Sequence, residues 1–463
     1  MERENCFKFY DEAARAELES VAADYRRFLS VGKTERECVK EIVRQAEAAG
    51  YRNMAELAAE GVQLQAGDKV YAVCMKKAVA LFRIGKLGPA AGMQILGAHI
   101  DSPRLDIKQN PLFEDGELAF LDTHYYGGIK KYQWVAIPLA LHGTVVKKDG
   151  TAVDIVIGED ADDPVFCVTD LLIHLAQNQL EKKGARVVEG EDLNILIGNS
   201  PLVSADKEET KKNPVLANML HILQQKYGLE EEDLLSAELE AVPAGPAREA
   251  GLDASMILGY GQDDRSCAYT SLRAMLEVED AERTACCLLM DKEEIGSVGA
   301  TGMESRFFEN TVAELLALCG EYSELTLRRA LANSRMLSSD VSSAYDPAYA
   351  AAFEKKNIAY LSHGLVFNKF TGARGKSGSN DANAEYLAYL RRVMDEAGVH
   401  FQTAELGRVD LGGGGTIAYI LALYGMEVID SGVPVLSMHA PWEVTSKADI
   451  YEAYRGYKAF LRA

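Results

Sequence analysis

The sequence predicts an α/β fold on a mainly parallel sheet, interrupted by an inserted β-rich second domain. Three observations point there. Short, wholly apolar runs begin near residue 70, an antiparallel-type alternating pattern occupies residues 106–250, and helix and strand patterns alternate from residue 255 to the end. The expected division is a first domain in two pieces, 1–105 and 251–463, with 106–250 as the insertion.

The first element is helical. Thr34 and Glu37 are placed to form a capping box, and Val39, Ile42, Val43 and Ala46 follow at helical spacing until Gly50 stops the run. The runs at 78–82 and 93–97 are apolar at nearly every position, as strands buried on both faces are. Within the insertion, Trp134, Ile137, Leu139 and Leu141 alternate in part. Lys148, Asp149 and Gly150 make a hairpin turn between Val145-Val146 and the alternating Val153, Ile155 and Ile157. A helix is expected over 171–180, a strand over 193–197 and a helix over 214–227. Residues 241–247, made of Pro, Gly and Ala with one Val, read as a flexible linker.

Composition narrows the functional classes. A chain of 463 residues that is 48% hydrophobic, with no apolar run long enough to cross a bilayer, is expected to be soluble, with ample core. Charges of both signs at Glu2, Arg3 and Glu4, with no apolar stretch after them, lead us to expect a cytoplasmic protein without a secretory leader. Eight scattered cysteines without a C-x-x-C pair read as reduced core thiols. A net charge of −21 argues against nucleic acid or an anionic membrane as partner, because both need a basic face.

Four apolar, strand-like runs end directly in metal-ligand side chains. They lead to His99 and Asp101, to Asp291, Glu293 and Glu294, to Asp340, and to His439. In an open parallel sheet such strand ends converge on one crevice, so residues far apart in sequence can meet there. A fifth piece, Asp263-Asp264-Arg265, opens a helical stretch through Ala268, Leu272, Met275 and Leu276. Each piece alone has an ordinary reading: a surface or packed histidine, a helix cap, a solvated acidic turn. The joint occurrence of all five at element ends is harder to obtain that way. The spacing of His99 and Asp101 lets a carboxylate hold the imidazole in the tautomer a metal needs. Two histidines and three carboxylates, without thiolates, suit zinc, cobalt or manganese and fit two ions roughly 3.5–4 Å apart better than one. Of the adjacent Glu293 and Glu294, one would ligate and the other would serve as base.

Taken together, the segments 97–103, 263–265, 291–297, 339–340 and 437–439 resemble the M18 aminopeptidases, in order and spacing and over essentially the whole chain. The resemblance implies a zinc-exopeptidase-like catalytic domain. It implies that Asp263 bridges two ions, most plausibly zinc, that His99 and Asp340 complete one, and that Glu294 and His439 complete the other. Glu293 becomes the general base and Asp101 the partner of His99; the Asp263-Asp264 peptide is often cis in such sites. The family's inserted domain supports dodecamers and places a histidine, here matched to His174, in a neighbouring subunit's active site. From its own sequence context alone, a packed or surface histidine is the favoured reading of His174.

The expected activity is hydrolysis of the N-terminal residue from peptides with a free N-terminus. A related two-metal carboxypeptidase or deacylase and a catalytically idle assembly protein are the alternatives. Gly413, in the run 412–415, could offer its backbone to substrate, although a tight turn explains those glycines too. Lys369, Arg374 and Lys376 could receive an acidic side chain or could be solvated loop charges. Segment 368–379 differs from the corresponding segment of the acid-specific enzymes, so an acidic preference is not carried over.

Overall fold

The computed structural model describes residues 4–203 and 212–463. The chain divides into two compact units, one of residues 1–101, 247–438 and 443–463, the other of residues 102–246 and 439–442. The sequence had set the insertion at 106–250.

In the first unit the apolar runs become the centre of a nine-stranded sheet. Thr284–Met290, Met93–His99, Arg335–Ser339 and Glu427–Gly432 lie side by side and parallel. All seven residues of Met93–His99 and of Thr284–Met290 are buried, which is why both segments are apolar at most positions. The strands next to this core pair antiparallel to it: Ala78–Arg83 with Thr284–Met290, and Leu365–Asn368 with Glu427–Gly432. Side chains alternate between two cores. Leu96, Ala98, Cys287 and Leu289 pack with residues of the helices Glu12–Val31, Gln262–Glu277 and Lys447–Arg462. Ile95, Cys286 and Leu288 pack with those of Phe307–Leu318 and Glu324–Ala332. This two-sided covering buries the sheet and leaves its strand ends as the natural place for polar side chains.

The helix expected after the capping box is Glu35–Ala48, and both reciprocal bonds of the box form, between Thr34 and Glu37. All eight cysteines are free, and Cys6, Cys38, Cys267, Cys286 and Cys287 are buried. Among the described residues no helix is long and apolar enough to cross a membrane.

The second unit is built on a seven-stranded sheet whose strand pairings are all antiparallel. The expected hairpin is present: Leu139–Val146 pairs with Ala152–Ile157, which forms one edge of the sheet. The helix Pro214–Tyr227 forms where the sequence placed it, closed by Gly228 in the left-handed conformation.

Five expectations are corrected. No continuous helix covers 171–180; a 3₁₀ turn, Ile173–Leu175, precedes a single helical turn, Gln177–Leu180. Leu171, Leu172, Ile173, Leu175 and Leu180 are all exposed, so a helix here has no buried face to sustain it. The supposed linker begins as strand: Ala241, Val242 and Pro243 belong to Ala237–Pro243, a buried strand paired along its length with Leu139–Val146. Burial of its small apolar side chains outweighs the turn tendency of its Pro and Gly. Trp134 closes a 3₁₀ turn, and the strand starts only at Leu139. The strand expected over 193–197 is Ile195–Gly198. The run before His439, Pro434–Leu436, lies in a separate five-stranded sheet and not beside the other three ligand-bearing strands.

Thr34→Ala removes the side chain that caps Glu35–Ala48 and should destabilise that helix end by ~1 kcal/mol. Amide exchange in its first turn should then quicken about fivefold; unchanged exchange there would contradict the cap's role.

Candidate metal centre

Three adjacent parallel strands at the centre of the large sheet deliver acidic or imidazole groups at their C-terminal ends. His99 ends its strand, Asp291 directly follows Met290, and Asp340 directly follows Ser339. The strand ends are locked in register there, with Ile100 donating its N–H to Met290 O at 2.8 Å and Asp340 donating to Ser431 O at 3.1 Å. Asp263 and Asp264 arrive from the first turn of Gln262–Glu277, where both have non-helical torsions and the peptide between them is cis. Glu293 and Glu294 stand on a 3₁₀ turn, Glu293–Ile295, entered through Lys292 in the left-handed conformation.

His99 is the hub. Its Nε2 lies 3.2 Å from Asp263 Oδ1 and 3.8 Å from Glu293 Oε2, and its Nδ1 lies 3.3 Å from Asp101 Oδ1 and 3.1 Å from the Asp101 carbonyl oxygen. Asp101 does a second job: its carboxylate accepts the N–H groups of Glu293 and Glu294, each at 3.2 Å. One buried carboxylate therefore orients both the imidazole and the Glu293-Glu294 turn. The Asp263 backbone is held in turn by Glu443, whose Oε2 accepts its N–H at 3.1 Å. Arg265, also buried, donates to the carbonyls of Ile100 and Lys33 at 3.2 and 3.0 Å, tying the helix start to the chain after His99. Glu443 and Arg265 carry no sequence signature of these roles.

So many acids in one buried place disturb one another. Burial, then the charges of Glu293 and Asp264, push the Asp340 carboxyl well above the usual range, and burial does the same to Asp264. Burial opposes protonation of His99, but the Asp101 and Asp263 carboxylates outweigh it and raise its pKa well above the ordinary imidazole value. Asp291 is lifted to about 6 by burial and by Glu35 and Asp101, while the Thr301 hydroxyl donates to it at 2.5 Å. Every one of these shifts asks for positive charge.

The donor set fits a divalent cation. Ligand atoms of His99, Asp263 and Asp340 all lie within 4.8 Å of one another, and a donor atom of Glu294 lies within the same distance of Asp263. Two ligands about 2.0–2.1 Å from a tetrahedral ion are about 3.3 Å apart, close to the 3.2 Å between His99 Nε2 and Asp263 Oδ1. Nitrogen and carboxylate donors without thiolate suit zinc or a similar ion. His439 lies in the segment 439–442 that groups with the second unit, where its Nδ1 is 2.9 Å from the Gly128 carbonyl. A carbonyl partner makes Nδ1 the protonated nitrogen and leaves the lone pair on Nε2, the tautomer of a metal ligand.

The remaining candidates have the following surroundings. His174 is exposed on its 3₁₀ turn. Lys376 bonds Asp381 at 3.0 Å and lies over the Phe370 ring at 3.8 Å, and Lys369 reaches the same aspartate at 3.8 Å. Gly413 has φ +111°, and a Cβ there would stand 2.7 Å from Ala373 Cα; one on Gly412 would stand 1.6 Å from Leu406 O. Close backbone approach therefore accounts for both glycines.

Comparison with known proteins agrees with this chemistry. The model of the aminopeptidase I zinc metalloprotease family, M18, matches residues 28–461. A probable M18 family aminopeptidase 1 of Clostridium acetobutylicum is 60% identical over 460 residues, covering 99% of this chain and 98% of the relative. The crystal structure of an M18-family aminopeptidase from Thermotoga maritima superposes with a TM-score of 0.93 at 43% identity, covering 100% of this chain and 99% of that one. The S. cerevisiae mApe1 dodecamer shares the fold, with a TM-score of 0.76 at 19% identity over 96% of each chain. With its acidic cluster around His99, its two-sided α/β sheet and this full-length likeness, the chain belongs to the M18 family of zinc metallo-aminopeptidases.

Proposed function

We propose that the crevice around His99 is a co-catalytic two-ion site that removes the N-terminal residue from peptides. The carrying observation is the convergence of His99, Asp263 and Asp340 in one cluster, with His99 and Asp263 buried and Glu294 close to the same Asp263. In this reading His99, Asp263 and Asp340 hold one ion, and Asp263, Glu294 and His439 hold the other, with Asp263 as the bridge. Zinc bound there supplies Lewis acidity, lowering the pKa of water and polarising the scissile carbonyl.

The chain's own residues do the rest. Glu293, 3.8 Å from His99 Nε2, is the remaining acid of the turn; it accepts the proton of the attacking water and returns it to the leaving amine. Its position depends on Asp101, which holds its backbone N–H. Asp101 also favours the His99 tautomer that carries its lone pair on Nε2.

Self-association completes the reading. Leu172, Ile173 and Leu175 around His174 are 57, 63 and 70% exposed, a run of apolar surface that a lone chain leaves in water. Ala152–Ile157 offers an unpaired strand edge in the same unit. A second copy of this chain is the partner proposed for these surfaces, in a homo-oligomer and by analogy with the yeast relative a dodecamer. In it His174 reaches a neighbouring copy's site and donates to the developing oxyanion. Gly413 and Lys376 are proposed to border the substrate. Because Lys376 already has Asp381, no acidic side chain is required of that substrate.

Four outcomes are expected. Glu293→Gln should keep its zinc yet lose about 10²–10⁴ in kcat, whereas near-normal turnover of the loaded variant would remove Glu293 as base. Asp263→Ala and His439→Ala should lose zinc as well as activity, and metal analysis that finds both fully loaded would refute the ligand set. Asp101→Ala should weaken zinc binding about 10–100-fold, as loss of a group orienting a ligand does; competition against a chelator reads this directly. Light scattering should show a large oligomer, and an active monomer would end the assembly reading.

A further inference from the structure

Asp430 is a buried acid that the proposed chemistry leaves without work. It lies in Glu427–Gly432, opposite Ser338 on one neighbouring strand and Asn368 on the other, and is 1% exposed. Its Oδ1 accepts the Thr416 hydroxyl at 2.6 Å. Among the described residues, its Oδ2 has no hydrogen-bond partner, and neither does the Ser338 hydroxyl. Burial lifts its pKa to about 7 against the pull of the Thr416 hydroxyl, and the charge of Glu293 adds to the rise. An asparagine could accept the same hydroxyl without the cost of a buried charge, so the fold alone does not explain a carboxylate here.

Thr416 closes the glycine-rich loop 410–416. Its hydroxyl donates to Asp430 and accepts the Ala418 N–H at 3.3 Å, so the rotor is fixed at both ends. The rest of the loop is held by backbone: Gly412 donates to Arg408 O at 2.8 Å and Gly414 to Thr371 O at 3.4 Å. Leu411 is 71% exposed and adds no buried side chain. Thr416 is thus the loop's side-chain anchor among the described residues. Its acceptor sits next to Ser431, whose carbonyl takes the Asp340 N–H. One strand therefore sets the position of a proposed ligand and of the loop together.

We propose that Asp430, acting through Thr416, is the positioning residue that holds loop 410–416 in place for the substrate backbone. The inference rests on the reading of Gly413 as a substrate contact. Asp430 touches neither substrate nor metal in this account; it fixes where the loop amides stand.

The test compares Thr416→Val, Thr416→Ser, Asp430→Ala and the Thr416→Val/Asp430→Ala pair as zinc-loaded enzymes, by steady-state kinetics on aminoacyl peptides and by amide exchange. Thr416→Val and Asp430→Ala should each raise KM about tenfold, the scale of a lost hydrogen bond to a charged group, with a smaller change in kcat. The double variant should be no worse than the poorer single one. Thr416→Ser should return KM to near its original value, and exchange at 411–416 should quicken in Thr416→Val, Asp430→Ala and the double variant but not in Thr416→Ser, with zinc content unchanged. Additive single effects, or a serine variant as poor as valine, would overturn the pairing. Unchanged exchange would overturn the anchor. Faster exchange with unchanged KM would overturn the loop's role toward substrate, and would do so in an enzyme whose normal turnover leaves the two-ion reading standing. Should Asp430→Ala fail to fold, Thr416→Val and Thr416→Ser decide the case by themselves.

Discussion

The centre of this molecule is a problem of charge. Asp101, Asp263 and Asp264 are buried around one imidazole, Asp340 stands half-buried beside them, and Glu293 lies within 3.8 Å of its Nε2. Water has little access to most of these groups, and the His99 imidazole lies at their centre. The carboxylates respond as buried like charges do, with Asp340 and Asp264 driven toward the protonated form. A divalent cation held by these oxygen and nitrogen donors would relieve the repulsion by its two positive charges. Full-length membership of a zinc metallo-aminopeptidase family is what this arrangement leads one to expect.

The fold contributes a frame stiff enough to keep the acids together. Strands buried on both faces cannot slip by one residue without exposing a full set of apolar side chains, so their ends meet in fixed register. Met93–His99 and Thr284–Met290 are paired residue for residue up to His99 and Met290. The turn beyond Met290 is then fastened by Asp101 through two backbone N–H groups. A single carboxylate thereby couples the orientation of an imidazole to that of the proposed base. Glu443 does the corresponding work for Asp263. Alternation between two cores, each covered by its own helices, explains why the polar residues gather at the strand ends.

Much of this was legible in the sequence, because a buried parallel strand is an unbroken apolar run and an acid or histidine at its end is conspicuous. His99, Asp340 and the turn after Met290 were visible for that reason, and the Thr34 capping box because both its partners are local. What failed was whatever depended on distant packing. Residues 171–180 have helix-forming side chains but no surface to cover, so they break into a 3₁₀ turn and one helical turn. Residues 241–243 have turn-prone composition but a neighbouring strand to join. The sheet that receives Pro434–Leu436 was hidden because period and burial do not name a strand's neighbours. Glu443 and Asp430 stood in stretches whose pattern marks only an ordinary strand, and their roles, like the backbone contacts of Arg265, arise from contacts across the chain. The segment holding Lys376 reads as a basic patch in sequence, yet Asp381 five residues on already answers it.

The central claim, that the acids around His99 exist to share two cations, is tested most directly by anomalous diffraction from crystals of the zinc-loaded protein, recorded on both sides of the zinc edge. The account predicts two peaks per chain, one among His99, Asp263 and Asp340 and one beside Asp263 and Glu294. A single peak, or peaks away from Asp263, would contradict it.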